Sequence, residues 1–238
     1  LSATTSLAVR RFAPETVSGP PVLLVHGFAS DGHTDWITTG WPAALTAAGR
    51  EVVIPDLPAH GSSPAPAGSL GAVAITAELS RLVTDLSEVD VVGYSLGARL
   101  AWELPAQAPV RRLVLAGVSP FEPFGAVDVA AALAFAGGGK APSDPLTGMI
   151  AHMITAPGRN PTALARCIED LRAEPFAPVL GAVAVPTRFV AGVEDPVSQG
   201  IETLVELVPG ADLVRVPGDH GGALRSAEFK AAVLDFLG

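Results

Sequence analysis

The residues with the clearest chemical potential in this chain are Ser95, Asp195 and His220. Ser95 lies in Gly93-Tyr94-Ser95-Leu96-Gly97, directly after the apolar run Val89-Asp90-Val91-Val92 and before a helical pattern over residues 96–107. A serine in Gly-x-Ser-x-Gly between a strand and a helix stands on a tight, strained turn that pushes its hydroxyl out of the sheet. Glycine on either side avoids a Cβ that would crowd the neighbouring backbone. The helix that follows aims free N–H groups and a positive dipole end at the place where an oxyanion forms. A serine hydroxyl is a poor nucleophile at neutral pH, so it needs a base within reach and the base needs an orienting acid. Asp195, in Gly192-Val193-Glu194-Asp195-Pro196, and His220, in Pro217-Gly218-Asp219-His220-Gly221-Gly222, follow in the chain order that such a turn uses. Glu194 competes with Asp195 if the loop register differs, and Asp219 reads as a helix cap or a solvent-facing carboxylate.

These side chains need elements to hold them. Strand-like runs are expected at an edge over residues 6–12, then over 21–26, 51–55, 89–93, 112–118, 187–192 and 213–216. Helical spacing is expected over 41–48, closed by Gly49, over 73–86 with Ile75, Leu79, Leu82 and Leu86 on one face, and over 223–237. The alternation predicts an α/β protein with a mostly parallel, doubly wound sheet. Asp195 and His220 then fall at carboxyl ends of strands, where ligands collect in open α/β sheets. Residues 119–184 break the rhythm: they are rich in Ala, Gly and Pro, with Gly137-Gly138-Gly139 between two helical stretches and no convincing strand. Roughly 65 residues without a strand exceed an ordinary connection. The expectation is a core of residues 1–118 and 185–238, with residues 119–184 forming a helical cap inserted after the sixth strand.

Composition narrows the function classes. The chain has 238 residues, 49% of them apolar and 16% charged, which suits a globular domain with a large core. A net charge of −9 argues against nucleic acid and anionic membrane surfaces as partners. No apolar run approaches the roughly 18 residues of a membrane-spanning helix. The opening Leu1-Ser2-Ala3-Thr4-Thr5 lacks the basic and apolar pattern of a secretory leader, so the expected compartment is the cytoplasm; the start on Leu leaves upstream trimming open. The single cysteine, Cys167, excludes an internal disulfide. No metal-ligand cluster and no strand-borne Gly-x-Gly-x-x-Gly is present, so neither a metal nor another cofactor is expected.

At its motifs the chain resembles the α/β-hydrolase family, in particular its small cap-bearing members. His26-Gly27-Phe28 is similar to the family's oxyanion loop. Asp56-Leu57-Pro58-Ala59-His60-Gly61-Ser62-Ser63 resembles its Asp-x-x-Gly-x-Gly-x-Ser segment, with Ala59 in place of the first glycine. The resemblance implies Ser95 as nucleophile, His220 as general base, Asp195 as its orienter, and the N–H groups of Phe28 and Leu96 as the oxyanion hole. It also implies a structural role for Asp56, and bracing roles for His26 and His60. Serine at the elbow counts against the dehalogenases and epoxide hydrolases of this fold, which carry aspartate there, and against the dienelactone-type hydrolases, which carry cysteine.

Tyr94, Phe121, Phe124, Met149 and Met153, with Phe135 and Phe176, are expected to line an apolar pocket for a small molecule bearing an acyl or aromatic group. Trp36, Trp41 and Trp102 read as packing residues. Arg99, one helical turn after Ser95, reads as a surface arginine paired with Glu103; the alternative is a ligand for a substrate carboxylate. The expected chemistry is cleavage of a small-to-medium carboxylic ester through an acyl-enzyme on Ser95. The alternatives are a carbon–carbon bond hydrolase, a pyruvate-eliminating lyase with the same triad, and a ligand receptor with a vestigial one. Oligomeric state stays open.

Overall fold

Seven strands pair into one sheet in the computed structural model, which describes residues 7–238. The strands are β1 (Val9–Phe12), β2 (Val22–Val25), β3 (Val52–Pro55), β4 (Val89–Tyr94), β5 (Val110–Ala116), β6 (Thr187–Gly192) and β7 (Asp212–Val216). Their spatial order is β1-β3-β2-β4-β5-β6-β7, and only β1 runs antiparallel, against β3. Every residue of β2, β3 and β4 is buried. That explains their near-continuous apolar runs, since central parallel strands are covered on both faces; the exception, Asp90 in β4, is paired with Arg50 and Arg111. Ser6 and the N-terminal residues 1–5 lie outside the described residues.

Alternation along the strands sorts the core into two layers. Leu23, Val25, Val53, Val91, Leu113, Leu115 and Phe189 face one side. Val22, Leu24, Val52, Ile54, Val92, Tyr94, Val114 and Val190 face the other, against Trp36, Trp41 and Phe229. Trp41 packs edge-on against Trp36 and Phe229, with ring centroids 5.6 and 5.5 Å apart. Trp102 belongs to the first layer, beside Phe176.

The covering helices are α1 (Trp41–Ala47), α2 (Ala72–Arg81), α3 (Leu96–Ala101), α4 (Val129–Ala136), α5 (Pro145–Ile154), α6 (Pro161–Ala173), α7 (Ile201–Leu207), α8 (His220–Arg225) and α9 (Ala227–Leu237). Three depart from the expected spans. The pattern over 73–86 is regular helix only to Arg81 and continues as tight turns. The pattern over 96–107 breaks after Ala101, because Pro105 has no N–H for the helix ladder and its ring would press on the preceding turn. The closing pattern is split at Ser226, whose hydroxyl accepts from the Phe229 amide and caps α9.

Helices α4, α5 and α6 fill the connection between β5 and β6 and form a layer over the carboxyl end of the sheet. Asp128, Asp144 and Asn160 cap their N-termini, and α5 and α6 carry proline in the first turn. This insertion follows the fifth described strand, which corrects the expectation of the sixth. Residues 56–88 supply only loop and α2 to the upstream count, with no further strand. Among the described residues no helix is long and apolar enough to cross a membrane.

Candidate active site

The order of the strands creates the crevice. From β2 the chain passes outward to β3, then crosses back to β4 on the other side of β2. The loops leaving adjacent β2 and β4 therefore diverge, and a cleft opens at their carboxyl ends. The β2 loop carries Gly27 and Phe28; the β4 turn carries Ser95.

Ser95 has φ 56° and ψ −118°, a left-handed conformation that costs a serine on the order of 1–3 kcal/mol. Its neighbours show why the turn is glycine-flanked. A Cβ on Gly97 would lie 2.1 Å from the Val25 carbonyl oxygen, and one on Gly93 would lie 2.5 Å from that of Gly97. The Ser95 amide donates to the Ala116 carbonyl of β5 at 2.8 Å, which anchors the turn to the sheet. Among the described residues, the amides of Phe28 and Leu96 donate to no protein acceptor. Both residues line the cavity that Ser95 faces. Two free N–H donors beside a serine are what stabilisation of an oxyanion requires.

The β2 loop is held from behind. Asp35, buried, accepts from the Gly27 amide at 2.9 Å and from the Ser30 hydroxyl at 2.5 Å. His26 Nδ1 donates to the Gly27 carbonyl at 2.8 Å, and its Nε2 accepts from the Leu57 amide at 2.9 Å. His26 thus ties the loop after β2 to the loop after β3. Burial lowers the pKa of His26, and burial together with the neighbouring His26 brings His60 down to about 3, so both rings are neutral. Ala59 takes φ 66°, the conformation of the glycine that the resembling motif carries there. Asp56 accepts from Arg10 and from the amides of Gly32 and Ser62, a structural role.

On the other side of Ser95, Asp195 and His220 meet. His220 Nδ1 and Asp195 Oδ2 are 2.9 Å apart. With Nδ1–H donating to the carboxylate, Nε2 is left as the basic nitrogen. Asp195 is fully buried at its side chain and also accepts from the Ser198 hydroxyl at 2.6 Å and the Val197 amide at 2.9 Å. Burial alone would raise its pKa, but the hydrogen bonds and charge of His220, Ser198 and Val197 hold it below the usual carboxylate range. Glu194 is exposed, and Asp219 caps α8 by accepting from the Gly222 amide at 2.8 Å.

The cavity has a volume of about 280 Å³ and is predominantly apolar. Phe28, Ser95, Leu96 and His220 bound its reactive end. Leu146, Met149, Ile150 and Met153 recur at helical spacing along α5 and present one face to it. Phe124 stacks edge-on against Phe28 at 4.9 Å, and Phe176 completes the wall. Phe121 and Met149 stand at the rim, 68% and 48% exposed.

Three expectations need correction. Tyr94 is not a wall of the cavity: strand alternation turns it to the opposite layer, where its ring lies 5.2 Å from that of His220 and its hydroxyl donates to the His220 carbonyl. Phe135 is also outside the cavity and stacks on His152. Arg99 is neither on the surface nor paired with Glu103. It is 3% exposed, lines the cavity and pairs with Glu122. Sequence reading also missed Ser198, Asp35 and Glu122. The run Asp195-Pro196-Val197-Ser198 is an Asx-type cap pattern that signals Ser198. Glu122 is a lone carboxylate in Phe121-Glu122-Pro123-Phe124, whereas Asp35 has no local signal.

Known proteins agree with this architecture. A Mycobacterium tuberculosis protein described as uncharacterized is 38% identical over 102 residues, 41% of this chain and 29% of that protein. The match to such curated relatives spans only about a third of their length. Among solved structures, MenH from S. aureus superposes with a TM-score of 0.79 at 22% identity, covering 96% of this chain and 97% of that one. A thermophilic esterase from Thermogutta terrifontis gives 0.77 at 21% identity, with 99% and 96% covered. At these identities the likeness is one of fold. Residues 22–232 match the model of the alpha/beta hydrolase family, and the chain belongs to that family.

Proposed function

We propose that this protein is a serine hydrolase of small-to-medium carboxylic esters with an apolar acyl group. The observation that carries the reading is the convergence on one cavity of a strained Ser95, a His220 oriented by buried Asp195, and two free backbone amides. Ser95 Oγ attacks the ester carbonyl while His220 Nε2 takes its proton. The amides of Phe28 and Leu96 hold the tetrahedral oxyanion, where loss of one donor typically costs about 10²–10³ in rate. His220 then protonates the leaving alcohol, and water cleaves the acyl-enzyme by the reverse path. Asp195 keeps Nδ1 protonated and compensates the imidazolium as it forms. No step calls for a metal or an organic cofactor. The cavity volume, at the low end of ligand pockets, supports a short-to-medium acyl chain.

The test is hydrolysis of p-nitrophenyl esters from acetyl to octanoyl by the native chain and by Ser95→Ala. Turnover that vanishes in the variant, with a defined chain-length optimum, is the expected result. Turnover retained by Ser95→Ala, or none in the native chain, overturns the reading. An eliminating lyase acting on multiply carboxylated substrates calls for free arginines facing Ser95. The arginine that lines this cavity is engaged by Glu122, which favours the ester reading.

A further inference from the structure

Among the described residues that line the cavity, Arg99 is the one permanent cation. A bare guanidinium at this place would draw a substrate carboxylate. Its surroundings prevent that. Nη1 donates to Glu122 Oε1 at 3.0 Å, and Nη2 lies 2.9 Å from Oε2, a bidentate pair. Nη2 also donates to the carbonyls of Leu171 and Glu174 at the end of α6, at 2.9 and 2.7 Å. Glu122 is equally engaged: it accepts from the amides of Phe124 and Phe176, at 3.2 and 3.0 Å. Arg99 Nε lacks an acceptor but is sealed from solvent. The other ionisable groups that line the cavity are Asp219 and His220, the latter backed by the buried Asp195.

We propose that the Arg99–Glu122 ion pair sets the substrate class by cancelling the cavity's cation, so that the enzyme accepts acyl groups with an uncharged distal end and rejects those ending in a carboxylate. The inference rests on the ester-hydrolase reading. An incoming carboxylate must either displace Glu122 from a bidentate, backbone-supported site or lie unpaired beside Leu146, Ile150 and Met153. Burying an unpaired charge among apolar side chains is strongly unfavourable. Glu122 acts here through Arg99 and is a specificity residue, not a catalytic one.

The test compares kcat/KM for p-nitrophenyl hexanoate and mono-p-nitrophenyl adipate, matched in length and differing at the distal end. The native chain is expected to prefer the hexanoate by about tenfold or more. In Glu122→Gln, which leaves Arg99 charged beside a neutral partner, that preference falls by about tenfold or more. In the double variant Arg99→Met, Glu122→Met the preference returns, because the cation is gone. Equal use of both esters by the native chain, or an unchanged ratio in a Glu122→Gln protein that melts cooperatively, overturns the proposal. If Glu122→Gln does not fold, the native ratio still decides. Calorimetry of hexanamide and adipamate binding to Ser95→Ala separates the two readings. Hexanamide binding without adipamate binding, when the native chain turns over no ester, removes the hydrolase reading and keeps the charge filter. Ester turnover without discrimination removes the filter alone.

Discussion

The two halves of the site are held by different physics. At the sheet end, Ser95 is set by a left-handed turn whose flanking Gly93 and Gly97 leave no room for a Cβ, and His220 by the buried carboxylate of Asp195 at a strand end. At the cap end, the walls are side chains on α5 and at the cap's two junctions with the core, shaped by packing. The cap is tied down by a few side-chain contacts that cross to the core. Arg99 reaches the end of α6, and Arg159 pairs with Asp31 of the β2 loop at 2.9 Å. Asp170 and Glu174 accept from the amides of Leu70 and Val73, at 2.7 and 2.8 Å. Burial would raise the Asp31 carboxyl, yet Arg159 and Thr34 hold it down at about 2. The contrast follows from what each half would do in the proposed hydrolysis. Bond making needs directional groups fixed to fractions of an ångström, whereas discrimination among acyl groups needs shape and the absence of stray charge.

Substitutions at the sheet end should therefore abolish rate, and those in the cap should retune it. Ser95→Ala is expected to lower kcat by about 10⁵–10⁶ while leaving the melting temperature nearly unchanged, as read by ester turnover and calorimetry. Asp195→Asn should cost about 10⁴, because the amide favours the wrong His220 tautomer. Glu194→Gln serves as its control, and a comparable loss there would place the orienting acid one residue earlier. Gly97→Ala sets a Cβ against the Val25 carbonyl and should destabilise the fold by about 3 kcal/mol or more in urea titration. A Gly97→Ala protein as stable as the native chain would break the claim that backbone crowding shapes the elbow.

Acid should act on the sheet end, through the loops packed behind Phe28. His60 is held at about 3 in the folded state against an ordinary 6.5. Between these values the unfolded chain binds the extra proton, so stability is full above pH 6.5 and is lost progressively as pH falls towards 3. The slope is about 1.4 kcal/mol per pH unit for one such group. Denaturant titrations at pH 7 and 4.5 measure it, and His60→Asn should flatten it. The smallest effect is expected in the cap. Met153→Ala should lengthen the preferred acyl chain by one or two carbons, changing kcat/KM by about tenfold or less with the melting temperature nearly intact. A chain-length profile that does not move would show that α5 does not bound the acyl end.

Much of the sheet end was legible before any coordinates. Gly93, Ser95 and Gly97 announce a turn whose geometry is dictated within five residues, and the apolar runs of β2, β3 and β4 announce central parallel strands. The order Ser95, Asp195, His220 follows from successive strand ends, so chain order and strand placement already imply that the three gather at one end of the sheet. Ala59 shows the limit of such reading: a departure from the motif in residue type is no departure in backbone, since it adopts the glycine conformation. The closing helix was legible as apolar spacing but not as two pieces, because the cap that Ser226 supplies outweighs the periodicity.

What stayed hidden is what depends on partners far along the chain. Arg99 has Glu103 four residues away, yet it pairs with groups 23 to 75 residues distant. Tyr94 adjoins Ser95 in sequence, yet strand alternation sends it to the opposite layer, under His220. Asp35 has no motif to mark it and becomes a support of the loop after β2 only when that loop folds back on it. Local steric rules and hydrophobic period act over a few residues, so residue order alone carried the fold class, the elbow and the succession of Ser95, Asp195 and His220. Which charge answers which, and which face a side chain meets, is decided when layers pack, because burial makes each polar group take whatever partner the assembled structure brings within reach.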